Sequence, residues 1–362
     1  MNEICIRTNK GEYVGGETIF GIVYLAVRNP IQSRKLKLKI KGHEKCEWDY
    51  SYSVREEDNW VKRTGKKKGR TQFLELNQNL IEYEDDFPLG YFFYPFQYVL
   101  PQGLPGTFYY KCDEKGNSVL AEVAYKIKAE VVDTSGSSDA KLKAVQLLSI
   151  SDRCKIRDAA ECTKTSMVKT CCCIPRGDVI VTANLDKMTY QTGEEATILI
   201  DVKNNSSINT SHMVVRLMRG IRLRGADAHR ERSKKEPKCL MDVMSMSSYE
   251  GCASGSFKRT NAPIKLWSQQ HEIDKADILP STSGSVVRCN YHIDIEVVVP
   301  WAPDVELQVP IQIKPPKNKT WEEWKSPSWA SECHRVITQG PCAVTAKTLD
   351  SASFSGVIIS PQ

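Results

Sequence analysis

Two separate motifs occur twice in this chain of 362 residues, in the same order, and a chain that repeats itself in this way reads as two copies of one folding unit. Tyr13-Val14-Gly15-Gly16-Glu17 leads into the apolar run Ile19 to Leu25, and Tyr190-Gln191-Thr192-Gly193-Glu194 leads into Thr197 to Val202. Further on, Tyr125-Lys126-Ile127-Lys128-Ala129-Glu130-Val131 is matched by Tyr291-His292-Ile293-Asp294-Ile295-Glu296-Val297. The first pair is offset by 177 residues and the second by 166, so intervening loops differ in length while the order holds. Tyr-x-x-Gly-Glu reads as a turn whose Gly takes positive φ, with the Tyr packing across it before a strand begins.

Each unit reads as β. Helical periodicity is scarce, whereas Leu36, Leu38 and Ile40 alternate with Lys35, Lys37, Lys39 and Lys41. Cys46, Trp48, Tyr50 and Tyr52 alternate in the same way with Glu47, Asp49, Ser51 and Ser53, and Val305, Leu307 and Val309 repeat the pattern. Such strands belong to antiparallel sheets packed on one face and wet on the other. The expected class is all-β: two tandem antiparallel β-sandwiches over residues 1–172 and 173–313, with a boundary between about Val168 and Gly177 and a partly flexible tail over 314–362.

Met1-Asn2-Glu3-Ile4-Cys5 lacks a basic start followed by an apolar run, and nowhere do eighteen apolar residues follow one another, so the expected location is the cytosol. Thirteen cysteines, an odd number in a long chain, then read as reduced thiols, and the Asn-x-Ser/Thr triplets at Asn204, Asn205, Asn209 and Asn318 as chance matches. A net charge of +6 argues against a dedicated nucleic-acid binder. The six histidines form no His-x-x-x-His pair, and Gly-x-Ser-x-Gly, the P-loop and Gly-x-Gly-x-x-Gly are absent, so the chain reads as non-enzymatic, with no cofactor and no metal.

Charge distribution supplies the candidate sites. Lys62, Arg63, Lys66, Lys67, Lys68 and Arg70 fall within nine residues, between an aromatic strand ending near Val54 and a strand from Thr71 to Leu76, and are expected on a protruding loop that attracts phosphate or acidic membrane. In the second basic stretch, alternation sets Arg216, Arg222 and Arg224 on one face of a strand, where they could bind carboxylate or phosphate; Arg219 falls on the opposite, inner face. Trp321, Trp324 and Trp329 in the tail read either as docking anchors for a partner or as side chains folded back on a sandwich. The cluster Cys154, Cys162, Cys171, Cys172 and Cys173 admits zinc binding, acylation or packing at a hinge; three adjacent Cys on an extended strand point alternately to opposite faces, which favours packing.

Several segments together resemble the arrestin family, in particular its α-arrestin (arrestin-domain-containing) branch. They are Tyr13 to Glu17; Lys39-Ile40-Lys41-Gly42 followed by Trp48; Tyr94-Pro95-Phe96-Gln97-Tyr98-Val99-Leu100-Pro101; Gly103 to Phe108; Cys171 to Gly177; Leu185-Asp186-Lys187; and Val202 to Ser206. The resemblance covers residues 1 to about 313 and lies in the order of many weak motifs. It implies an elongated pair of immunoglobulin-like sandwiches that dock cytoplasmic parts of membrane proteins for endocytic trafficking or sorting, with peripheral recruitment to plasma membrane or endosomes. The alternative it allows is a structural coat subunit similar to the arrestin-fold component of retromer. Pro315-Pro316 is followed by Lys317-Asn318, so the family's Pro-Pro-x-Tyr route to ubiquitin ligases is missing from this chain.

Overall fold

The protein is seen in a computed structural model, described over residues 1–56, 59–114, 117–132, 140–153, 161–170, 174–227, 236–266, 278–316 and 319–344. Nine strands form the first half: β1 (Glu3–Thr8), β2 (Glu12–Val14), β3 (Thr18–Val27), β4 (Lys35–Glu56), β5 (Asn59–Glu82), β6 (Gly90–Val99), β7 (Phe108–Glu114), β8 (Asn117–Val132) and β9 (Ala140–Ser151). Then come β10 (Glu161–Thr170), β11 (Ile174–Leu185), β12 (Thr189–Gln191), β13 (Glu195–Asn204), β14 (His212–Asp227) and β15 (Glu236–Glu250). The second half closes with β16 (Phe257–Lys265), β17 (Thr282–Ser283), β18 (Val287–Val297) and β19 (Val305–Lys314); the tail adds the single-turn helix α1 (Lys319–Glu322) and the short strand β20 (His334–Arg335).

Two four-stranded sheets, β1-β3-β6-β20 and β10-β11-β13-β16, lie against one twelve-stranded sheet ordered β12-β19-β18-β14-β5-β4-β8-β9-β2. In that large sheet β15 joins β14, β17 joins β18 and β7 joins β8. The large sheet is the inner layer of both sandwiches, joined where Ala226 and Asp227 of β14 pair with Lys68 and Lys67 of β5. Its apolar face is closed by β3 in one half, with Ile19, Val23 and Leu25 against Leu36, Leu38 and Ile40, and by β11 and β13 in the other. One apolar cluster runs through both halves.

The repeated turn has the same construction in both copies. Tyr13 and Tyr190 are each 1% exposed, and their hydroxyls donate to Asn9 Oδ1 at 2.6 Å and Asp186 Oδ1 at 2.7 Å. Glu17 accepts the Val14 N–H at 2.9 Å and Glu194 the Gln191 N–H at 3.0 Å, while Lys10 and Lys187 pair with those same carboxylates. Gly16 and Gly193 turn the chain at φ 94° and 88°, the positive values that the motif anticipates.

Three features differ from the alternation picture. Residues 62–70 are not a loop: they lie inside β5, paired with β4 in strands that run for 22 and 24 residues, with the pairing continuing out to Glu56 opposite Asn59. The far end of this pair outruns the core, and Tyr50 and Tyr52, in phase with buried Cys46 and Trp48, stack on each other with ring centroids 5.6 Å apart. Next, β10 falls in the half assigned to the first sandwich yet pairs antiparallel with β11, in the second half's small sheet. Finally, β3 is buried on both faces, whereas β13, its counterpart 177 residues on, alternates buried and wet.

Candidate functional site

Superposing the two copies in sequence exposes a vacancy in the strand plan. The offset of 177 residues sets Glu3–Thr8 of β1 over Ile180–Leu185 of β11. On one side both pair with their small-sheet neighbour, β3 or β13. On the other side β11 carries β10, with Cys162 opposite Ala183 and Lys164 opposite Val181, while among the described residues β1 carries no strand there. The edge of β1 opens instead on a groove of about 460 Å³ lined by Ile4, Arg7, Val145, Leu147, Trp321 and Trp324 among others. Val145 and Leu147, on β9, are out of phase with buried Leu148 and Ile150, and are 48% and 59% exposed. Unpaired backbone beside exposed apolar side chains is what an added strand requires.

One end of the groove is closed by the tail. Trp321 Nε1 donates to the Thr8 carbonyl at 3.0 Å, and the Arg7 guanidinium donates to the Trp321 carbonyl while lying 3.9 Å from the Trp321 ring centroid and 4.8 Å from that of Trp324. Arg7 is 9% exposed, so the ring faces and a carbonyl replace its water; burial lowers its pKa from the usual arginine value. Trp329 packs on Tyr24, Tyr91, Ile22 and Ala26 over the outer face of the small sheet, and its Nε1 donates to Glu3 Oε2 at 2.8 Å. The Glu3 carboxylate is held below its usual range by hydrogen bonds from Arg28 and Trp329. Farther on, β20 pairs parallel with β6. Of the two readings of the tryptophans, the molecule takes the second: they fold back on the chain, so in this state they are not free to anchor a partner. The signal for this was in the sequence, since Ile22, Tyr24 and Ala26 stand where the second copy has Leu199, Asp201 and Lys203. A strand apolar in both phases needs cover on both sides.

Cys5 and Cys333 border the same small cluster, and burial pushes their thiols up to about 12 and about 11. Such thiols are poor nucleophiles. Tyr24 Oη is buried there without a hydrogen-bond partner, the only such side-chain atom among the described residues.

The basic positions are partly neutralised. Lys66 Nζ lies 2.7 Å from Glu47, Lys68 Nζ 3.1 Å from the same carboxylate, and Arg63 pairs with Glu56. Lys67 covers the Tyr50 ring at 4.8 Å. Lys62 and Arg70 have no acidic partner among the described residues. On β14, Arg216 is engaged by Asp294 at 3.2 Å and Glu296 at 2.5 Å, whereas Arg222 and Arg224 are exposed. Arg219 does fall on the inner face, after a bulge between Leu217 and Met218, and is accommodated by Asp242 at 2.8 Å and the Tyr110 ring at 5.7 Å. Of the cysteine cluster, Cys162 is a half-buried side chain on β10, while Cys154, Cys171, Cys172 and Cys173 lie outside the described residues. Among the described residues no three His, Cys, Asp or Glu side chains gather as a metal site would need, and no helix is long and apolar enough to cross a membrane.

Comparison with known proteins agrees with this plan. The family model for the arrestin (or S-antigen) N-terminal domain matches residues 3–153, and that for the arrestin C-terminal domain matches residues 175–318. Arrestin domain-containing protein A of Dictyostelium discoideum is 25% identical over 323 residues, 87% of this chain and 52% of that protein. Human arrestin domain-containing protein 1 is 22% identical over 326 residues, 86% of this chain and 63% of its own length. The chain thus spans only between about half and two thirds of these relatives. With both halves matched in order, and a nearly all-β pair of sandwiches to carry them, the chain belongs to the arrestin family and is similar to its arrestin-domain-containing proteins.

Proposed function

We propose that this chain is a non-enzymatic adaptor that binds cytoplasmic segments of membrane proteins by taking them as an added strand on β1, and so sorts or retrieves them. The observation that carries the reading is the edge of β1, which carries no strand among the described residues and whose counterpart in the second copy is occupied by β10. Main-chain hydrogen bonds along β1 supply sequence-tolerant affinity, and Val145 and Leu147 on the groove supply a preference for alternate apolar side chains. The same reading places the protein in the cytoplasm with recruitment to the membranes that hold its clients.

Proximity labelling in the source cell tests this. The wild type should mark a set of membrane proteins that V145E/L147E fails to mark, with both proteins equally folded. An unchanged set sinks the reading, and stoichiometric co-purification with large subunits would give the coat-subunit alternative instead.

A further inference from the structure

The two basic stretches of the sequence, 62–70 and 216–224, are brought onto one face of one sheet by the join between the halves. Opposite residues of paired strands point to the same side. Ala226 of β14 stands opposite Lys68 of β5, so Arg222 and Arg224 share a face with Lys68 and Arg70. Farther along the same side of β14, whose other side is taken by β15, Arg222 stands directly opposite Arg288 of β18. The result is a patch of Arg288, Arg222, Arg224 and Arg70 on β14 and on the line of β18 and β5 that runs beside it across the seam.

All four arginines are exposed, and none has an acidic partner among the described residues. Lys45, opposite Arg70, is held by Glu122 at 2.9 Å. Like charges placed directly opposite on an antiparallel pair destabilise the sheet. Two arginines facing each other at Arg222 and Arg288 therefore weaken the isolated protein, and a ligand bringing negative charge removes the cost. Guanidinium groups take carboxylates through paired hydrogen bonds.

Next to this patch on the same face lies an apolar stripe. Met218 of β14 stands opposite Val243 of β15, and Gly220 opposite Met241. Met241, Val243 and Met246 are all more than half exposed, at 58%, 51% and 57%. A bilayer headgroup layer would meet the charges but leave three apolar side chains, set on the flat of a sheet, in a polar layer.

We propose that this face, distinct from the β1 groove, docks an extended partner segment in which a block of aspartates or glutamates is followed by aliphatic side chains. The acids lie on Arg288, Arg222, Arg224 and Arg70, and the aliphatic residues on Met241 and Val243.

Fluorescence anisotropy with the full chain tests it, using a labelled peptide of consecutive aspartates followed by alternating leucines. R222E/R288E should weaken binding by about tenfold or more, equivalent to about 1.4 kcal/mol, and M241S/V243S by roughly threefold to tenfold. Added salt should weaken it too, since these charges are exposed. R222Q/R288Q should melt at the same temperature as the wild type or higher, because the facing charges are gone, and R70Q/R224Q should give the same loss of binding without charge reversal. V145E/L147E should leave this affinity unchanged; a loss there would put the peptide in the β1 groove and overturn the proposal. Equal binding by wild type and both charge variants would overturn it as well. So would charge-dependent binding to phosphatidylserine vesicles with none to the peptide, which would make the patch a lipid contact.

Discussion

Glu44 of β4 and Val287 of β18 belong to different sandwiches, and the Glu44 carboxylate accepts the Val287 N–H at 3.0 Å. The same carboxylate accepts the Val286 N–H at 2.9 Å, the Ser285 N–H at 3.0 Å and the Ser285 hydroxyl at 2.5 Å. At 1% exposure it is a buried anion satisfied wholly by donors of the other half. A Cβ on Gly284 would come within 2.1 Å of Glu44 Oε2, so that glycine is required by close approach.

Removing this carboxylate should therefore be costly. Glu44→Ala leaves buried N–H groups without an acceptor and should lower stability by about 3 kcal/mol or more. Glu44→Gln, which keeps the shape but turns an NH₂ toward the donors, should cost roughly half as much. Gly284→Ala should act in the same direction. Urea denaturation of the full chain measures all three, and a Glu44→Ala protein as stable as the wild type would mean that the seam is held elsewhere.

The tail prediction follows from Trp329, which is 5% exposed. Trp329→Ala should cost about 3 kcal/mol, and truncation after Lys314 should cost at least as much, since it uncovers Ile22, Tyr24 and Ala26. The truncated protein should also bind a hydrophobic dye that the full chain does not. A melting temperature unmoved by truncation would contradict the packing.

How much of this was legible beforehand depends on whether the governing contact was local. The Tyr-x-x-Gly-Glu turns were legible because the Tyr13 hydroxyl and the Glu17 carboxylate find their partners among the described residues within seven positions. The strands from Lys35 and Val305 were legible because one face of each is wet, leaving period two intact. The basic segment 62–70 was misread as a loop because it lies between a strand read as ending near Val54 and one read as starting at Thr71, whereas its course is set by pairing with β4 and by cross-strand Glu47. The cover over β3 depends on residues some 300 positions away, as in the Glu3 to Trp329 hydrogen bond, and the alignment of Arg222 with Arg70 depends on two paired residues at the seam. Neither relation leaves a period in the sequence.

Two histidines set the acid side of the stability profile. Burial lowers the pKa of His43, against the opposing pull of Glu122, and burial likewise lowers that of His292 against Asp294. Unfolded, each takes a proton near pH 6.5. Below that value the unfolded chain binds more protons than the folded one, so this contribution is complete above about pH 6.5 and is lost as pH falls through the depressed folded values. The melting temperature should begin to fall below about pH 6.5, and His43→Gln/His292→Asn should flatten that part of the curve. An identical slope in the double variant would assign the loss to carboxylates such as Glu47, whose lowered pKa acts in a more acidic window.

The duplicated turn offers a paired test. Tyr13→Phe deletes the donation to Asn9 and the acceptance of the Lys10 N–H, Tyr190→Phe deletes the donation to Asp186, and each should cost about 1 kcal/mol or more. Gly16→Ala and Gly193→Ala force a Cβ into positive φ and should each cost about 1 kcal/mol or more. Because each pair does the same work in its own half, the two members should match within a factor of two or three. A large cost at one site with none at its counterpart would show that the copies have diverged in energetics while keeping geometry.

The last prediction concerns where the first unit ends. Sheet membership argues for a boundary ahead of Glu161, because β10 pairs along β11 from Glu161 opposite Asn184 to Thr170 opposite Ile174, and Val168 is 1% exposed. A fragment of residues 161–316 keeps that strand on its sheet, while a fragment of residues 174–316 bares the edge of β11 and removes the cover that Val168 gives. The longer fragment should melt cooperatively and stay monomeric. The shorter one should be less stable by about 2 kcal/mol or more, from lost apolar burial alone, and should associate through the uncovered edge. Calorimetry and light scattering on the two fragments measure this. Equal stability and equal solubility would return the boundary to the stretch between Val168 and Gly177 and make β10 a dispensable addition to the second sandwich.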